Sequence, residues 1–224
     1  MARYDFRTPR LHVAMPLAEG ASIALDPAQA NYLGNVLRLK TGDSVLVFNG
    51  RDGEWRGSLA STGKRKLALT IEGRTRAQTG ALDLHYLFAP LKHARLDYMV
   101  QKAVEMGASR LQPVLTRHTQ VTRVNLERML AERDPARLLV FCDEEAEVKD
   151  PVAALTEARG RVPPGAMPLA VLVGPEGGFA PEERSALLAL PNTVRLALGP
   201  RILRADTAAV AALALVGAVL GDWR

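Results

Sequence analysis

Residues 169–183 read LAVLVGPEGGFAPEE, and residues 194–209 read VRLALGPRILRADTAA. Each stretch begins as a short apolar run typical of a buried strand, breaks at a Gly-Pro pair and resumes with a helical pattern. This predicts two strand–loop–helix units whose loops leave neighbouring strand ends at one edge of a sheet. Because open α/β sheets bind ligands at the carboxyl ends of their strands, we expect a ligand site at this edge.

The first loop, Gly174–Gly178, is rich in glycine. Three of its five residues lack a side chain, so a ligand can approach the backbone and use its amide donors. Pro181 suits the first turn of the helix that follows. A phosphate site is disfavoured, because no Lys-Ser or Lys-Thr pair follows the glycines and no GxGxxG spacing is present. A tight turn that binds nothing is the alternative.

The second loop places Arg201 and Arg204 on either side of two apolar residues. Asp206 and Thr207 are predicted to cap the next helix with their side-chain oxygens. The helical pattern from Thr207 to Leu220 is almost wholly apolar and too short to span a bilayer, which predicts a core helix or a subunit interface. Two arginines beside such a helix favour a functional role. A structural ion pair with Glu176 or Asp206 is the alternative.

Four segments of the chain resemble one known family. LVGPEGGF and LGPRILRADTA look like signature segments of the RsmE family of SPOUT methyltransferases, which use S-adenosylmethionine to methylate N3 of a uridine in 16S ribosomal RNA. LFAPLKHARLDYMVQKAVEMGASRLQPVLTRHTQ at 87–120 is similar to the start of that family's catalytic domain, and LRLKTGDSVLVFNGRDGEW at 37–55 resembles its RNA-binding domain. The resemblance spans most of the chain.

The resemblance implies an α/β protein with two domains. A small PUA-like β-barrel that binds RNA is expected over 1–73, a linker over 74–80, and a SPOUT methyltransferase domain with a carboxy-terminal trefoil knot over 81–224. The order of strands and helices along the sequence alone would suggest a Rossmann-like domain, and nothing in the spacing reveals a knot. The resemblance also implies a homodimer with the apolar helix after Thr207 at its interface, S-adenosylmethionine as cofactor, and 16S ribosomal RNA or the small ribosomal subunit as partner.

Composition agrees with these expectations. The chain has 224 residues, 48% of them hydrophobic, enough for one large domain or two smaller ones. Its single cysteine, Cys142, excludes an intramolecular disulfide and a cysteine-based zinc site, and its place in the apolar run LLVFC predicts a buried strand residue. We expect no metal and no membrane association. The absence of an apolar run after Met1 favours the cytoplasm.

Positive charge is concentrated in the first 80 residues. They carry 12 Lys and Arg against 7 Asp and Glu, whereas residues 81–224 carry 17 of each. A small basic domain beside a larger neutral one is typical of a protein whose nucleic-acid-binding domain is separate from its catalytic domain. An ordinary solvated surface is the alternative.

Strand patterns divide into two groups. In the amino-terminal region they fall at 10–14, 21–25, 44–48, 54–60 and 65–72, with one helical stretch from Pro27 to Leu39 and a polar linker from Gly73 to Gly80. Beyond it, strand patterns at 82–88, 111–115, 137–141, 169–173 and 193–198 alternate with helical ones. This alternation predicts a largely parallel sheet with helices on its faces.

Candidate site residues follow from the loops and from the resemblance. Arg204 is expected to stabilise an anionic uracil, and Glu176 to orient the base or accept a proton. The predicted cofactor-binding residues are Leu172, Val173, Gly174, Glu176, Gly177, Gly178, Leu198, Gly199, Pro200, Ile202, Leu203, Thr207 and Ala208. The predicted RNA-binding residues are Arg10, Arg38, Lys40, Arg51, Arg56, Lys92, Arg117 and Arg201, with Lys64, Arg65 and Lys66 as further candidates.

Several residues carry two interpretations. Trp55 either stacks on a base or belongs to the core. His85, His93 and His118 are alternative bases, ranked lower because isolated histidines are more often structural. The acidic residues Asp143, Glu144, Glu145 and Glu147 are expected to face solvent rather than bind a metal.

The chain departs from the family pattern at three places. Asn31 stands where the family usually has histidine, and Asp206 where it has glutamate. After Arg128 about 30 residues of the pattern, a helix and its connection, are missing. The alternative function is therefore a catalytically weakened RNA-binding or ribosome-assembly protein of the same shape.

Overall fold

The structure is a computed structural model that describes residues 5, 7–61, 67–91, 94–117, 134–161, 167–175 and 177–223. The chain divides into two compact units, Met1–Gly80 and Ala81–Arg224. Each unit has its own hydrophobic core.

In its described part, the first unit is a five-stranded sheet with one helix. Its strands lie in the order β1-β3-β4-β5-β2, and all neighbours are antiparallel except β1 and β3. Asp26 and Gln29 form a capping box at the start of the helix, which continues as a π-helical turn at Tyr32–Val36. The elements are β1 (Arg10–His12), β2 (Ser22–Ala24), α1 (Pro27–Asn31), β3 (Ser44–Phe48), β4 (Glu54–Ser61) and β5 (Leu67–Arg76).

The predicted β-rich module with one helical stretch is confirmed. Its core contains fully buried Leu33 from the π-helical turn and Val45 and Leu69 from the strands. The linker is shorter than predicted, because β5 continues to Arg76 and pairs there with Glu54 of β4. The polar run from Gly73 was mistaken for a loop because its residues alternate on a largely solvated strand.

The second unit is built on a wholly parallel five-stranded sheet, as the alternating pattern predicts. The strand order is β10-β8-β9-β6-β7. The strands are β6 (Leu84–Phe88), β7 (Arg110–Pro113), β8 (Leu138–Cys142), β9 (Leu169–Val173) and β10 (Thr193–Leu196). The expectation that the two loop-bearing strands are neighbours is wrong, because β8 lies between β9 and β10. Parallel strands are joined by crossovers, so consecutive strands need not pair.

Helices cover both faces of this sheet. Side chains of β8 alternate, so Leu138 and Val140 face one core cluster and Leu139 and Phe141 face the other. Among the residues that the structure describes, three helices pack on the first face, namely α2 (Ala94–Glu105), α3 (Pro151–Gly160) and α5 (Ala205–Val219), and α4 (Pro181–Leu188) packs on the second.

Helix α5 begins two residues earlier than expected. Arg204 occupies its N-cap position without a side-chain cap, so the prediction that Asp206 and Thr207 cap the helix is wrong. Both lie in the first turn, where Asp206 Oδ1 accepts a hydrogen bond of 2.9 Å from the Thr207 amide. A carboxylate is favourable there because the helix amino terminus is partly positive. Within the described residues, no helix is long and apolar enough to cross a membrane.

Candidate functional site

The carboxyl ends of the five parallel strands meet at one edge of the second unit's sheet. Three of the segments that leave this edge follow adjacent strands: residues 143–150 after β8, 174–180 after β9 and 197–204 after β10. The two glycine-containing loops therefore flank the segment that follows β8. This edge is the one at which open α/β sheets bind ligands.

The first loop is held by an aromatic ring packed against a glycine. A Cβ atom on Gly174 would lie 2.8 Å from Phe179 Cζ and closer still to Cε2, so the ring fits only because Gly174 has no side chain. The Phe179 ring also meets Phe141 edge-on, with centroids 5.1 Å apart. Gly178 has a φ of +70°, and its amide donates to Pro175 O over 2.9 Å. Glu176, between them in sequence, lies outside the described residues.

Glu183 joins the end of the first loop to the segment after β7. Its Oε2 accepts from the Ala180 amide at 2.9 Å, and its Oε1 accepts from the Arg117 amide at 2.8 Å. The carboxylate thus satisfies one open donor of α4 and one donor of the neighbouring segment. The guanidinium of Arg117 lies 3.5 Å from exposed Glu182, a contact too exposed to hold it firmly.

The second loop exposes an apolar and a basic side chain. Gly199 has a φ of +86°, and no described atom lies within 4 Å of the position that a Cβ would take there. Ile202 is fully exposed at 103%, while Leu203 packs partly against the core. The Arg204 side chain is exposed, and its carbonyl accepts the first helical hydrogen bond of α5 from Ala208 at 2.8 Å.

A buried carboxylate lies between the two loops. Asp143 follows β8 directly, is 6% exposed, and accepts hydrogen bonds from Arg184 at 3.1 Å and Arg195 at 2.8 Å. Burial alone would raise the pKa of Asp143, but the hydrogen bonds from the two guanidinium groups outweigh it and the net pKa is lowered. Asp143 is therefore a paired anion at neutral pH, which corrects the expectation that it faces solvent.

The predicted cofactor-binding residues differ in what they offer at this edge. Leu172, Val173 and Ala208 are buried in the core, so they can present only backbone to a ligand. Leu198, Gly174, Gly178 and Leu203 are half-buried, and Gly177, Gly199, Pro200, Ile202 and Thr207 are exposed. All of them belong to the two strand–loop–helix units.

Most predicted RNA-binding residues lie in the first unit. Arg38, Lys40, Arg51 and Arg56 are exposed there. Arg10 is held by Glu54 at 3.0 Å and by the Asp5 carbonyl at 2.7 Å, so part of its hydrogen-bonding capacity is already used within the unit. Arg117 and exposed Arg201 belong to the second unit. Lys92 lies outside the described residues, as do Lys64, Arg65 and Lys66.

The surroundings of Trp55 favour the interpretation that it belongs to the core over the one in which it stacks on a base. Its ring packs against the first unit's core cluster, and its indole nitrogen donates to Asp52 O over 2.9 Å. A half-buried indole that packs on the core and whose donor is satisfied is typical of a structural tryptophan.

His85 lies away from the candidate site. It is the second residue of β6 and pairs with Ala170 near the amino ends of both strands. Its Nε2 lies 3.4 Å from Asp83 Oδ1, and burial lowers the pKa of its imidazole. His93 and His118 lie in parts of the chain that the structure does not describe.

Sequence patterns gave no direct sign of the ion cluster around Asp143. Arg195 gave no signal of an ion pair because one charged residue in the apolar run VRLAL is compatible with an edge strand. Arg184 gave none because it lies among the polar residues of the short helix α4, where a charged side chain is expected in any case. Among the described residues, no group of three or more His, Cys, Asp or Glu is arranged to hold a metal ion. Burial raises the pKa of the Cys142 thiol to about 12, which keeps the thiol protonated at neutral pH.

Two protein families match the chain. The family described as RNA methyltransferase domain matches residues 78–130 and 122–217, and the RNA methyltransferase PUA domain matches residues 25–72. The two stretches of the first match overlap between 122 and 130. This overlap includes Arg128, after which the family pattern is predicted to be shortened, and it lies outside the described residues.

Relatives match along most of the chain. A ribosomal RNA small subunit methyltransferase E from Synechocystis is 31% identical, covering 94% of this chain and 78% of its own. The protein of the same name from Rickettsia conorii is 27% identical, covering 92% of this chain and 94% of its own. The Synechocystis alignment extends over 241 positions, more than the 224 residues of this chain, so the relative contains residues without a counterpart here.

Solved structures share the fold. Ribosomal RNA small subunit methyltransferase E from Neisseria gonorrhoeae, bound to S-adenosylmethionine, has a TM-score of 0.77 at 20% identity and covers 97% of this chain and 100% of its own. A Legionella pneumophila methyltransferase in complex with the same cofactor has a TM-score of 0.74 at 24% identity, covering 95% and 98%.

The predicted fold class is confirmed by these matches, since a PUA-like domain precedes an α/β methyltransferase domain. The trefoil knot stays a prediction. With the family matches covering both units and a relative above 30% identity aligned along nearly the whole chain, the chain belongs to the family of ribosomal RNA small subunit methyltransferase E.

Proposed function

We propose that the protein transfers a methyl group from S-adenosylmethionine to N3 of a uridine in 16S ribosomal RNA, on the assembled small subunit. The observation that carries the proposal is the pair of glycine-containing loops at the carboxyl edge of a parallel sheet, in a chain of this family. The first loop is shaped by the packing of Phe179 on Gly174, and the second presents Arg204 to solvent.

The residues at this edge fit an S-adenosylmethionine site. Gly199 has a left-handed backbone and open space where a side chain would lie, so a ligand can reach the main chain there. Half-buried Leu198 and Leu203 offer apolar surface to an adenine ring. We assign the cofactor to the backbone of Gly174–Gly178 and Leu198–Leu203, with Thr207 at the start of α5. S-adenosylmethionine supplies an electrophilic methyl group carried on a sulfonium.

The protein must hold the uridine as an anion, with N3 oriented as the nucleophile. Uridine N3 carries a proton that has to leave before the nitrogen can attack, and the negative charge then spreads to the flanking carbonyl oxygens. Arg204 stabilises those oxygens, because its exposed guanidinium extends from the N-cap of α5 at the end of the second loop. Glu176 orients the base or accepts the proton.

The RNA must present an unpaired uridine. N3 is engaged in Watson–Crick pairs, so the base has to be single-stranded or extruded before it can react. The basic first unit provides contacts to the backbone phosphates through Arg38, Lys40, Arg51 and Arg56, which are exposed. Arg117 and Arg201 add positive charge in the second unit.

The proposal includes a homodimer formed through α5. Every residue from Ala208 to Leu220 is apolar or glycine, and only one side of the helix faces the core. On the other side Val210, Ala211 and Ala214 are half-buried and Ala218 is exposed. A continuous apolar helix face favours burial against a second copy.

A second candidate is a catalytically weakened protein that binds RNA or assists ribosome assembly. It is favoured by the alignment gaps and by the two overlapping stretches of the methyltransferase match, which meet at 122–130. If a helix of the family is missing after Arg128, cofactor binding would survive while transfer slows.

Transfer of labelled methyl groups separates the two candidates. Small subunits from a strain that lacks this modification are incubated with the protein and radiolabelled S-adenosylmethionine, and the labelled nucleoside is identified by mass spectrometry. We expect one methyl group per subunit, on uridine N3, and transfer slowed by about 10²–10³-fold with the Arg204→Ala variant. Subunits that bind the protein but acquire no methyl group would reject the enzyme in favour of the second candidate.

A further inference from the structure

We propose that Asp143 is a positioning residue that holds the two loops of the cofactor site in a fixed relation to each other. This inference rests on the proposed function, since it assigns Asp143 a role in S-adenosylmethionine binding. Asp143 itself need not contact the ligand.

The geometry joins one carboxylate to both loop units. Arg184, on α4 directly after the first loop, places Nη2 3.1 Å from Asp143 Oδ2. Arg195, on β10 directly before the second loop, places Nε 2.8 Å from the same oxygen. The Glu145 amide donates to Asp143 Oδ1 at 3.1 Å, which fixes the carboxylate in its turn.

Burial separates Asp143 from the other acidic residues of the cluster. Its side chain is 4% exposed, whereas those of Glu145 and Glu147 are 69% and 94% exposed. Glu145 lies 3.0 Å from Arg184 and Glu147 lies 3.8 Å from Arg195. Exposed pairs of this kind contribute little, because solvent screens them. Arg195 also donates to the Glu145 carbonyl, but among the described residues Asp143 is the buried carboxylate that pairs with an arginine from each loop unit.

Backbone hydrogen bonds would keep the sheet together if the Asp143 carboxylate were lost. Strands β8, β9 and β10 remain joined by their own parallel pairings, and the Asp143 amide donates to Leu196 O at 3.0 Å whatever the side chain is. Loss of the carboxylate would thus leave the sheet intact but remove the buried ion pair between α4 and the end of β8, so that α4 and the loop before it can shift. We expect a loss of ligand affinity larger than the loss of stability alone would give.

Asp143→Asn tests this, because it keeps the size of the side chain and removes its charge. The matched control is Asp83→Asn at the opposite edge of the same sheet, where Asp83 receives two bonds of 2.8 and 3.0 Å from buried Arg137. Titration calorimetry with S-adenosylmethionine and a thermal melt are run on the full chain with each substitution.

We expect Asp143→Asn to raise the Kd for S-adenosylmethionine at least tenfold, while Asp83→Asn lowers Tm but changes Kd less than twofold. Arg184→Gln should also raise this Kd. The Kd of the double variant Asp143→Asn/Arg184→Gln should be no higher than that of the more affected single variant, because both substitutions break the same ion pair. If Asp143→Asn does not fold, Arg184→Gln, which leaves the Arg195 pair in place, provides the comparison.

The outcomes are distinguishable. An unchanged Kd in Asp143→Asn, with normal binding by the natural chain, overturns the positioning role alone. An equal rise in Asp83→Asn overturns it too, because the effect would then follow stability rather than position. No binding by the natural chain overturns the proposed function, and this inference with it.

Discussion

The edge of the Phe179 ring occupies the space that a Cβ atom on Gly174 would fill. Gly174 has no left-handed backbone, so its small size matters here rather than its conformational freedom. The contact fixes the course of the first loop between β9 and α4. Residue size at one position thus determines where the loop's backbone groups point.

Gly174→Ala is expected to displace Phe179 and the loop together. The forced contact should destabilise the chain by about 1–3 kcal/mol, as overpacking typically does, and should weaken S-adenosylmethionine binding at least tenfold. Thermal melts and titration calorimetry measure the two effects. Adding Phe179→Leu should recover part of the stability, because the smaller side chain makes room.

Gly160→Ala is the matched control for this change. Gly160 ends α3 and has no described atom within 4 Å of an added Cβ, so alanine should leave both stability and affinity nearly unchanged. Normal binding by Gly174→Ala would show that the first loop does not hold the cofactor.

Arg204→Ala separates catalysis from cofactor binding. An exposed guanidinium that stabilises charge on uracil acts mainly in the transition state, so turnover should fall by about 10²–10³-fold while the Kd for S-adenosylmethionine changes little. Arg204→Lys should retain part of the activity because it keeps the charge. Single-turnover methyl transfer measures the rate, and titration calorimetry measures the Kd for S-adenosylmethionine. Equal losses in both would assign Arg204 to the cofactor instead.

The outer face of α5 is expected to form the dimer interface. Ala211→Glu places a charge at the centre of this apolar face and should convert the dimer to a monomer, as measured by light scattering after size exclusion. Ala153→Glu on the exposed face of α3 is the control and should leave the mass unchanged. A natural chain that is already monomeric at high concentration would contradict the dimer.

Acid should destabilise the first unit through Glu54. This buried carboxylate binds Arg10, Arg76 and Thr75. Burial alone would raise the pKa of Glu54, but these hydrogen bonds lower it below its usual 4.5. A lowered folded pKa means that the stabilisation is complete above about 4.5 and is lost as pH falls through the folded value.

Glu54→Gln should therefore cost about 1.5–3 kcal/mol at pH 7 and much less at pH 3. Hydrogen exchange of the β4 and β5 amides in the full chain measures the difference. Glu72→Gln, at an exposed position on β5, should show no such pH dependence. A constant difference between Glu54→Gln and the natural chain from pH 7 to pH 3 would show that the carboxylate's charge contributes nothing.

Local patterns predicted the elements well. The apolar runs at 138–142 and 169–173 are strands because both faces of a parallel sheet are buried, and the Gly-Pro breaks mark where those strands give way to loops. Sequence could not give the strand order, since the insertion of β8 between β9 and β10 depends on crossovers between distant segments.

Local sequence patterns could not predict the ion cluster around Asp143 either, because it too depends on contacts between distant segments. Asp143 lies 41 and 52 positions from its partners Arg184 and Arg195, and an acidic run in a loop is usually solvated. Only the pairing of β8 with β10 and the packing of α4 on the sheet bring these charges together and bury one of them.

Titration calorimetry of S-adenosylmethionine into the full-length natural chain tests the central claim, that the two glycine-containing loops form a cofactor site. We predict saturable heat with one ligand per chain, weakened at least tenfold by Gly174→Ala and unchanged by Gly160→Ala. Absence of heat with the folded natural chain, or equal binding by Gly174→Ala, would contradict it.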